Sequence, residues 1–238
     1  MFDDGTKIVK LFGLSFDVGN CVSGIVAAII VCSVLIWLSR NLKMKPTGKQ
    51  NVLEWIVDFT NGIVKSTLPD SEGDKYGLFA FVLFVFIFVS NQLGLAIQFV
   101  VGDVTYVKSP TASPMTTLTL AFMVLVITHV VGINRFGFSG YLKNTFLSPA
   151  PALLPIKIIE QFTNFITLAL RLYGNIFAGE VLVKLIFQLG ESFGLVSFVP
   201  ATLLEMIWQG FSVFIGSIQA YVFVVLTMAY ITQKVEKE

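Results

Sequence analysis

The amino-acid sequence predicts an all-α polytopic membrane protein with five transmembrane helices and one amphipathic helix on the membrane surface. Of its 238 residues, 55% are hydrophobic and only 13% are charged, and the mean hydropathy is +0.81. This composition provides too little polar surface to cover a soluble globule. Five apolar runs approach or exceed the roughly 20 residues that a helix needs to cross a bilayer. We expect all 238 residues to form a single membrane domain.

The last two apolar runs are much longer than a single crossing requires. At 1.5 Å per residue each would extend roughly 50 Å, against about 30 Å of hydrocarbon. We therefore expect these two helices to be strongly tilted. In chain order, the predicted segments are an outer N-terminal segment over 1–21 and spans over 22–38, 77–101, 115–133, 155–189 and 195–232.

Residues 51–68, between the first two spans, predict the amphipathic helix. Trp55 and Phe59 recur at helical spacing on one side, and Glu54 and Asp58 lie on the other. A helix of this kind lies in the membrane interface with its apolar face toward the acyl chains.

The distribution of Lys and Arg predicts the orientation of the chain. The first and third connections and the C-terminal tail contain Arg40, Lys43, Lys45, Lys49, Lys65, Lys75, Arg135, Lys143, Lys157, Lys234 and Lys237. The opposite side contains Lys7, Lys10 and Lys108. The positive-inside rule then places the N-terminus outside and the C-terminus in the cytoplasm.

Several classes of function are disfavoured by composition. With 16 Lys and Arg against 15 Asp and Glu, nothing indicates a basic surface for nucleic acid. Cys21 and Cys32 are expected to pack rather than pair, and no cleavable signal peptide is expected. The single histidine, His129, is expected to bond to a neighbouring helix. No cofactor and no metal site is expected.

Ionisable residues inside the spans are the strongest functional signal, because each costs about 2.5–3.5 kcal/mol on insertion scales. Arg171 is the most informative, since it lies in the middle of a span with no acid within one helical turn. The polar residues of the two long runs are Glu160, Asn164, Arg171, Asn175, Glu180 and Lys184 on the first, and Glu205, Gln209, Ser212 and Gln219 on the second.

Helical spacing gives these residues a layout. Along the helix axis, Glu160 lies roughly 16 Å from Arg171 on the predicted cytoplasmic side, and Glu180 roughly 13 Å on the outer side. This layout indicates two separate entrances with a fixed positive charge between them. On the last run, residues from Glu205 to Gln219 form a narrow polar stripe that would face a helix or a water-filled path.

Simpler structural roles remain open for some of these residues. Glu180 could pair with Lys184, four residues on, and Glu160 could complement the helix dipole near its N-terminus. Glu205 could be a solvated residue near a helix end. In the second span, Asn91, Gln92 and Gln98 are most simply explained as residues that form hydrogen bonds between helices.

Two segments resemble a known family. The run IIEQFTNFITLALRLYGNIFAGEVLVKLIF and the later FSVFIGSIQAYVFVVLTMAYI are similar to subunit a of the bacterial F-type ATP synthase. GKQNVLEWIVDF, SNQLGL and SPTASPMTTLTLAF add weaker similarity, so that the resemblance covers about residues 10–234.

The resemblance implies specific roles. Arg171 is the family's essential arginine, Asn175 its neighbouring asparagine and Glu180 its outer half-channel carboxylate. Gln219 would partner the arginine, and Ser212 stands where the family varies among His, Glu and Ser. Glu160 and Glu205 complete the expected proton path.

The implied protein is a non-catalytic channel subunit of a bacterial plasma membrane. Its implied partners are the c-ring rotor subunits, the subunit b peripheral stalk, the rest of the ATP synthase complex and membrane lipids. Two alternative functions fit the sequence less well. A secondary transporter could bind an anion at Arg171, but the chain lacks repeated halves. A membrane scaffold would leave Arg171 without a role.

Overall fold

The architecture is taken from a computed structural model of the full chain. The structure describes residues 8–11, 14–40, 42–44, 48–68, 70–96, 99–101, 104–107, 109–147, 151–192 and 195–235. Lys7, Lys45, Lys108 and Lys237, used above for orientation, and Gln98 lie outside these residues.

The described chain is dominated by helices, which confirms the all-α polytopic class. Five of them are long and apolar enough to cross a membrane: α1, α3, α4, α5 and α6. The helix bounds are Val18–Ser39 for α1, Lys49–Thr67 for α2, Asp70–Ala96 for α3, Pro114–Leu142 for α4, Leu154–Ser192 for α5 and Leu195–Val235 for α6. The tilt of α5 and α6 in a membrane stays a prediction.

Two short β-hairpins that the sequence analysis did not predict lie outside the helices. Strands β1, Ile8–Leu11, and β2, Leu14–Asp17, are antiparallel. So are β3, Phe99–Val101, and β4, Val104–Val107. The predicted second span ran to residue 101, but helix α3 ends at Ala96. The sequence from 99 to 107 is rich in β-branched residues around Gly-Asp, which favours a hairpin over a helix end.

Helix α4 is interrupted at Gly137, whose φ of 71° is readily adopted by glycine. Beyond this kink, Tyr141 packs beside the ring of His129, with 5.9 Å between ring centroids. A Cβ atom at Gly132 would lie 2.6 Å from the Tyr141 ring, so the contact needs glycine there. The Nδ1 atom of His129 has no hydrogen-bond partner in the described part of the chain, and the bond expected from this residue to a neighbouring helix stays a prediction.

Helix α2 has the amphipathic character expected of it. Trp55 is 66% exposed and stacks on Phe59 at 5.9 Å. Phe59 in turn contacts the rings of Phe84 and Tyr221 at 5.5 and 5.8 Å, which attaches α2 to α3 and α6. The other side of α2 buries residues such as Thr60.

The chain forms two compact units, each assembled from segments of several helices. Unit 1 consists of Met1–Ser33, Val85–Thr116 and Leu172–Ala220, and unit 2 of Val34–Phe84, Thr117–Arg171 and Tyr221–Glu238. The single membrane domain stays a prediction. Apolar side chains fill unit 2, where Val124, Leu168, Phe223, Met228 and Ile231 are at most 2% exposed.

A buried polar network holds unit 1 together. Asn91 of α3 is fully buried and donates from Nδ2 to the carbonyl oxygen of Gly216 of α6 at 3.0 Å. Its Oδ1 accepts a hydrogen bond from Thr111 Oγ1 at 2.9 Å. Gln92 Nε2 donates to the carbonyl oxygen of Val213 at 3.3 Å. The interhelical role expected for Asn91 and Gln92 is therefore confirmed.

Replacing Asn91 with leucine should destabilise the chain. The change removes the bond to Gly216 and leaves the buried Thr111 hydroxyl without its acceptor, a loss of about 1–3 kcal/mol in the free energy of unfolding. The measurement is loss of helicity on denaturation in mixed micelles. Gln188→Leu, at an exposed amide of α5, is the matched control and should unfold like the parent chain. Equal stability of the two variants would contradict the assignment.

Candidate functional site

Within unit 1, α5 and α6 face each other along a surface of apolar residues interspersed with small and polar ones. Leu172 and Ile176 of α5 are buried, as are Ser212 and Gly216 of α6. Small residues let helix backbones approach closely in a membrane protein. At Gly216 a Cβ atom would lie 3.3 Å from Gln92 Nε2, so a larger side chain would press on the network described above.

A cavity of about 30 Å³ opens between these two helices. It is lined by Asn175, Ile176 and Gly179 of α5 and by Trp208, Phe211, Ser212, Ile215 and Gly216 of α6. A water molecule needs roughly 10–15 Å³ of such volume. The cavity can thus hold one or two waters, next to two of the residues expected on the proton path.

Two of the residues that line this cavity each have a buried polar atom with no hydrogen-bond partner in the described part of the chain. Ser212 is 8% exposed, and its Oγ has no hydrogen-bond partner among the described residues; the same holds for Nε1 of Trp208. Buried polar groups are otherwise almost always hydrogen-bonded to protein or ordered water. A hydroxyl and an indole N–H beside a water-sized space are therefore suited to hold water.

The remaining expected residues of unit 1 lie outside the cavity lining. Glu180 is half-buried on α5, and Glu205 is half-buried on α6. Gln219 is 7% exposed, and its Nε2 has no hydrogen-bond partner in the part of the chain that the structure describes. Arg171 belongs to unit 2, and its pairing with Gln219 stays a prediction.

In unit 2, Arg171 is exposed on α5 and lies within electrostatic range of Tyr230 on α6. Tyr230 also lines a second, smaller cavity of about 10 Å³, enough for roughly one water. The polar residues in its lining are Thr128, Gln161, Asn164, Tyr230, Gln233 and Lys234. Glu160 is exposed and is not among the lining residues, whereas its neighbour Gln161 is. The role of Glu160 stays a prediction.

The structure thus brings Asn175 and Ser212 together and adds residues that the sequence analysis did not select. Trp208 and Tyr230 were missed because aromatic residues are common throughout the spans and carry no separate signal in the sequence. Helical spacing is a signal that could have indicated Trp208, because this residue lies one turn before Ser212.

Comparison with known proteins settles the family. Residues 21–232 match the family model described as ATP synthase A chain. The chain belongs to this family.

Family members named ATP synthase subunit a are similar over nearly the whole chain. The protein of Pediococcus pentosaceus is 52% identical over 238 residues, 100% of both chains. That of Limosilactobacillus reuteri is 54% identical over 228 residues, 96% of this chain and 97% of its own. That of Enterococcus hirae is 51% identical over 224 residues, 94% of each.

Membership in the ATP synthase A chain family gives the chain its general role. It is a multi-pass membrane component of the F-type ATP synthase, and it acts in proton translocation linked to ATP synthesis. The resemblance stated from the Arg-Leu-Tyr-Gly-Asn segment is thereby confirmed.

Filling the cavity of unit 1 should slow proton translocation. A leucine side chain would occupy the water-sized space beside Ser212, so Ser212→Leu should exclude water and greatly reduce ATP-driven acidification of inverted vesicles. Ser212→Ala removes the hydroxyl but leaves the space open, and we expect it to retain most of the rate.

The matched control for this experiment is Ser217→Leu. Ser217 lies on the same helix, bonds to its own backbone at Val213, and is not among the cavity-lining residues. It should acidify vesicles at the parental rate. If Ser212→Leu matches Ser217→Leu in fully assembled complexes, the cavity is not on the path.

Proposed function

We propose that the chain is the stator channel of the ATP synthase, with two half-channels that load and unload carboxyl groups on a rotating c-ring. It has no catalytic centre of its own. Its neighbours in the complex are the c-ring and the subunit b peripheral stalk. The complex lies in a bacterial plasma membrane, with the N-terminus outside and the C-terminus in the cytoplasm.

The cavity shared by Asn175 and Ser212 is the observation that carries this proposal. It provides space for water beside a buried hydroxyl with no protein partner in the described chain, within helices otherwise rich in apolar residues. In the proposed path, protons enter from outside past Glu180 and Glu205 and reach the rotor through this hydrated space. Bridging waters and short polar side chains can form the hydrogen-bonded chain along which protons would pass.

Arg171 is the proposed rotor-facing charge. Its guanidinium stays protonated in proteins, and it is exposed in the middle of α5 rather than enclosed by the chain. A fixed positive charge stabilises the ionised form of a nearby carboxyl group, so a protonated rotor carboxyl would release its proton on approach. The same charge repels a proton that would pass directly between the half-channels.

The exit path is proposed on the other side of Arg171. The small cavity of unit 2 has several polar residues in its lining, and one of them, Tyr230, lies within electrostatic range of Arg171. It supports a hydrated route past Gln161 and Glu160 toward the cytoplasm. A membrane potential supplies about 2.3 kcal/mol per proton for each 100 mV. Rotation, rather than chemistry within this chain, would convert that energy.

Arg171→Ala should abolish ATP-driven acidification of inverted vesicles while leaving the complex assembled, because the rotor carboxyl would lose the charge that makes it release its proton. Assembly is checked by co-purification, and ATP hydrolysis is measured in the same vesicles. Arg135→Ala, at an exposed arginine of α4, is the control and should pump like the parent. Unchanged pumping by assembled Arg171→Ala complexes would refute the proposed role.

A further inference from the structure

A second and much larger opening lies in unit 2, away from the residues of the proposed proton path. It is a groove of about 540 Å³ between the C-terminal end of α1, the middle of α2 and the N-terminal part of α3. Its lining residues are Leu35, Ile36, Ser39, Leu53, Val57, Asn61, Asp74, Gly77, Leu78 and Phe81. None of them belongs to the expected proton path.

The groove is polar at one end and apolar beyond it. Ser39 is the last residue of α1, and Asp74 lies in the second turn of α3. Leu35, one turn back along α1, and Phe81, about two turns further along α3, are apolar. Polarity therefore falls along both helices from their predicted cytoplasmic ends toward the membrane interior, as it does along a phospholipid.

The size and the lining of the groove are compatible with a lipid as the occupant. Small-molecule sites commonly occupy 300–1,000 Å³ and are mostly apolar with a few placed polar groups, and the groove fits that description. A groove of this size can accept a thin and flexible acyl chain.

Charges around the polar end indicate the headgroup. Arg40, which follows Ser39, is exposed. Lys49 is also exposed, and its Nζ lies 4.4 Å from the centroid of the Trp37 ring. Trp37 directly follows the groove residue Ile36 in the sequence. These cations suit a phosphate. Asp74 and the amide oxygen of Asn61 can accept hydrogen bonds from a headgroup that carries N–H or O–H donors.

We propose that this groove is a binding site for a phospholipid of the cytoplasmic leaflet. One acyl chain lies between α1, α2 and α3, the phosphate lies by Arg40 and Lys49, and headgroup donors bond to Asp74. The chemistry favours phosphatidylethanolamine, whose ammonium group donates hydrogen bonds, over phosphatidylcholine, whose quaternary ammonium cannot. A lipid held here would help to fix α2 against α1 and α3.

The test uses the whole ATP synthase complex in vesicles that contain both phospholipids. Trace phosphatidylethanolamine or phosphatidylcholine with a diazirine on the acyl chain is photolysed, and adducts are mapped by peptide mass spectrometry. We expect adducts on the lining segments of α1, α2 and α3, stronger with the ethanolamine lipid. Asp74→Asn removes a charged acceptor, which should reduce the preference between the two lipids by roughly tenfold.

Blocking the groove provides the matched comparison. Val57→Trp places a large ring in the groove and should reduce its labelling by roughly tenfold. Val82→Trp, at an exposed apolar residue of α3 outside the lining, should leave labelling unchanged. If Val57→Trp complexes do not assemble, Leu78→Trp serves instead. Equal labelling in the blocked and control variants, no lipid preference in the parent, or cross-links to another subunit in place of lipid would each overturn the proposal.

Discussion

Polar groups inside long apolar helices must be either hydrogen-bonded or hydrated, and the organisation of unit 1 depends on this requirement. Asn91 meets it by bonding to the backbone of Gly216 and to Thr111. Ser212, one turn from Gly216, has no such partner among the residues described and lies on a water-sized cavity. On α6, Gly216 thus accepts a structural hydrogen bond, whereas Ser212, one turn away, lies beside a space for water.

Gly216 belongs both to the hydrogen-bond network and to the cavity wall. Its carbonyl oxygen receives the bond from Asn91, and the residue itself lines the cavity. With no side chain, it lets Asn91 and Gln92 approach the α6 backbone closely. The network therefore fixes the wall of the cavity, and a change that loosens α3 from α6 is expected to alter the hydrated space as well as stability.

Much of this arrangement follows from the sequence alone. The apolar runs predict the five membrane helices, because the length of an apolar run is a strong and local signal for a membrane span. The cost of a charge in a span singled out Arg171, and helical periodicity placed Ser212 on a polar stripe. The meeting of Ser212 with Asn175 could not be derived from spacing, since it depends on how α5 and α6 pack.

The structural features that the sequence does not predict depend on contacts between residues that are not neighbours in the repeating pattern of a helix. Strand β3, Phe99–Val101, lies at the end of an apolar run for which the sequence predicts a continuous helix. Similarly, the bend at Gly137 brings Tyr141 against His129, a contact that no sequence period indicates. The structure, and not the sequence, identifies Trp208 as a residue of the site, because Trp208 lines the cavity and its indole N–H is buried.

The most direct test of this account is the water accessibility of residue 212 in the assembled complex. In a background with the exposed Cys21 and Cys32 replaced by serine, Ser212→Cys is compared with Ala220→Cys, which lies on the same helix and is fully buried. Silver ions, which react with the thiolate, serve as the probe. The account predicts rapid inhibition of proton translocation for Ser212→Cys and slow or absent inhibition for Ala220→Cys. Equal protection of both thiols would contradict it.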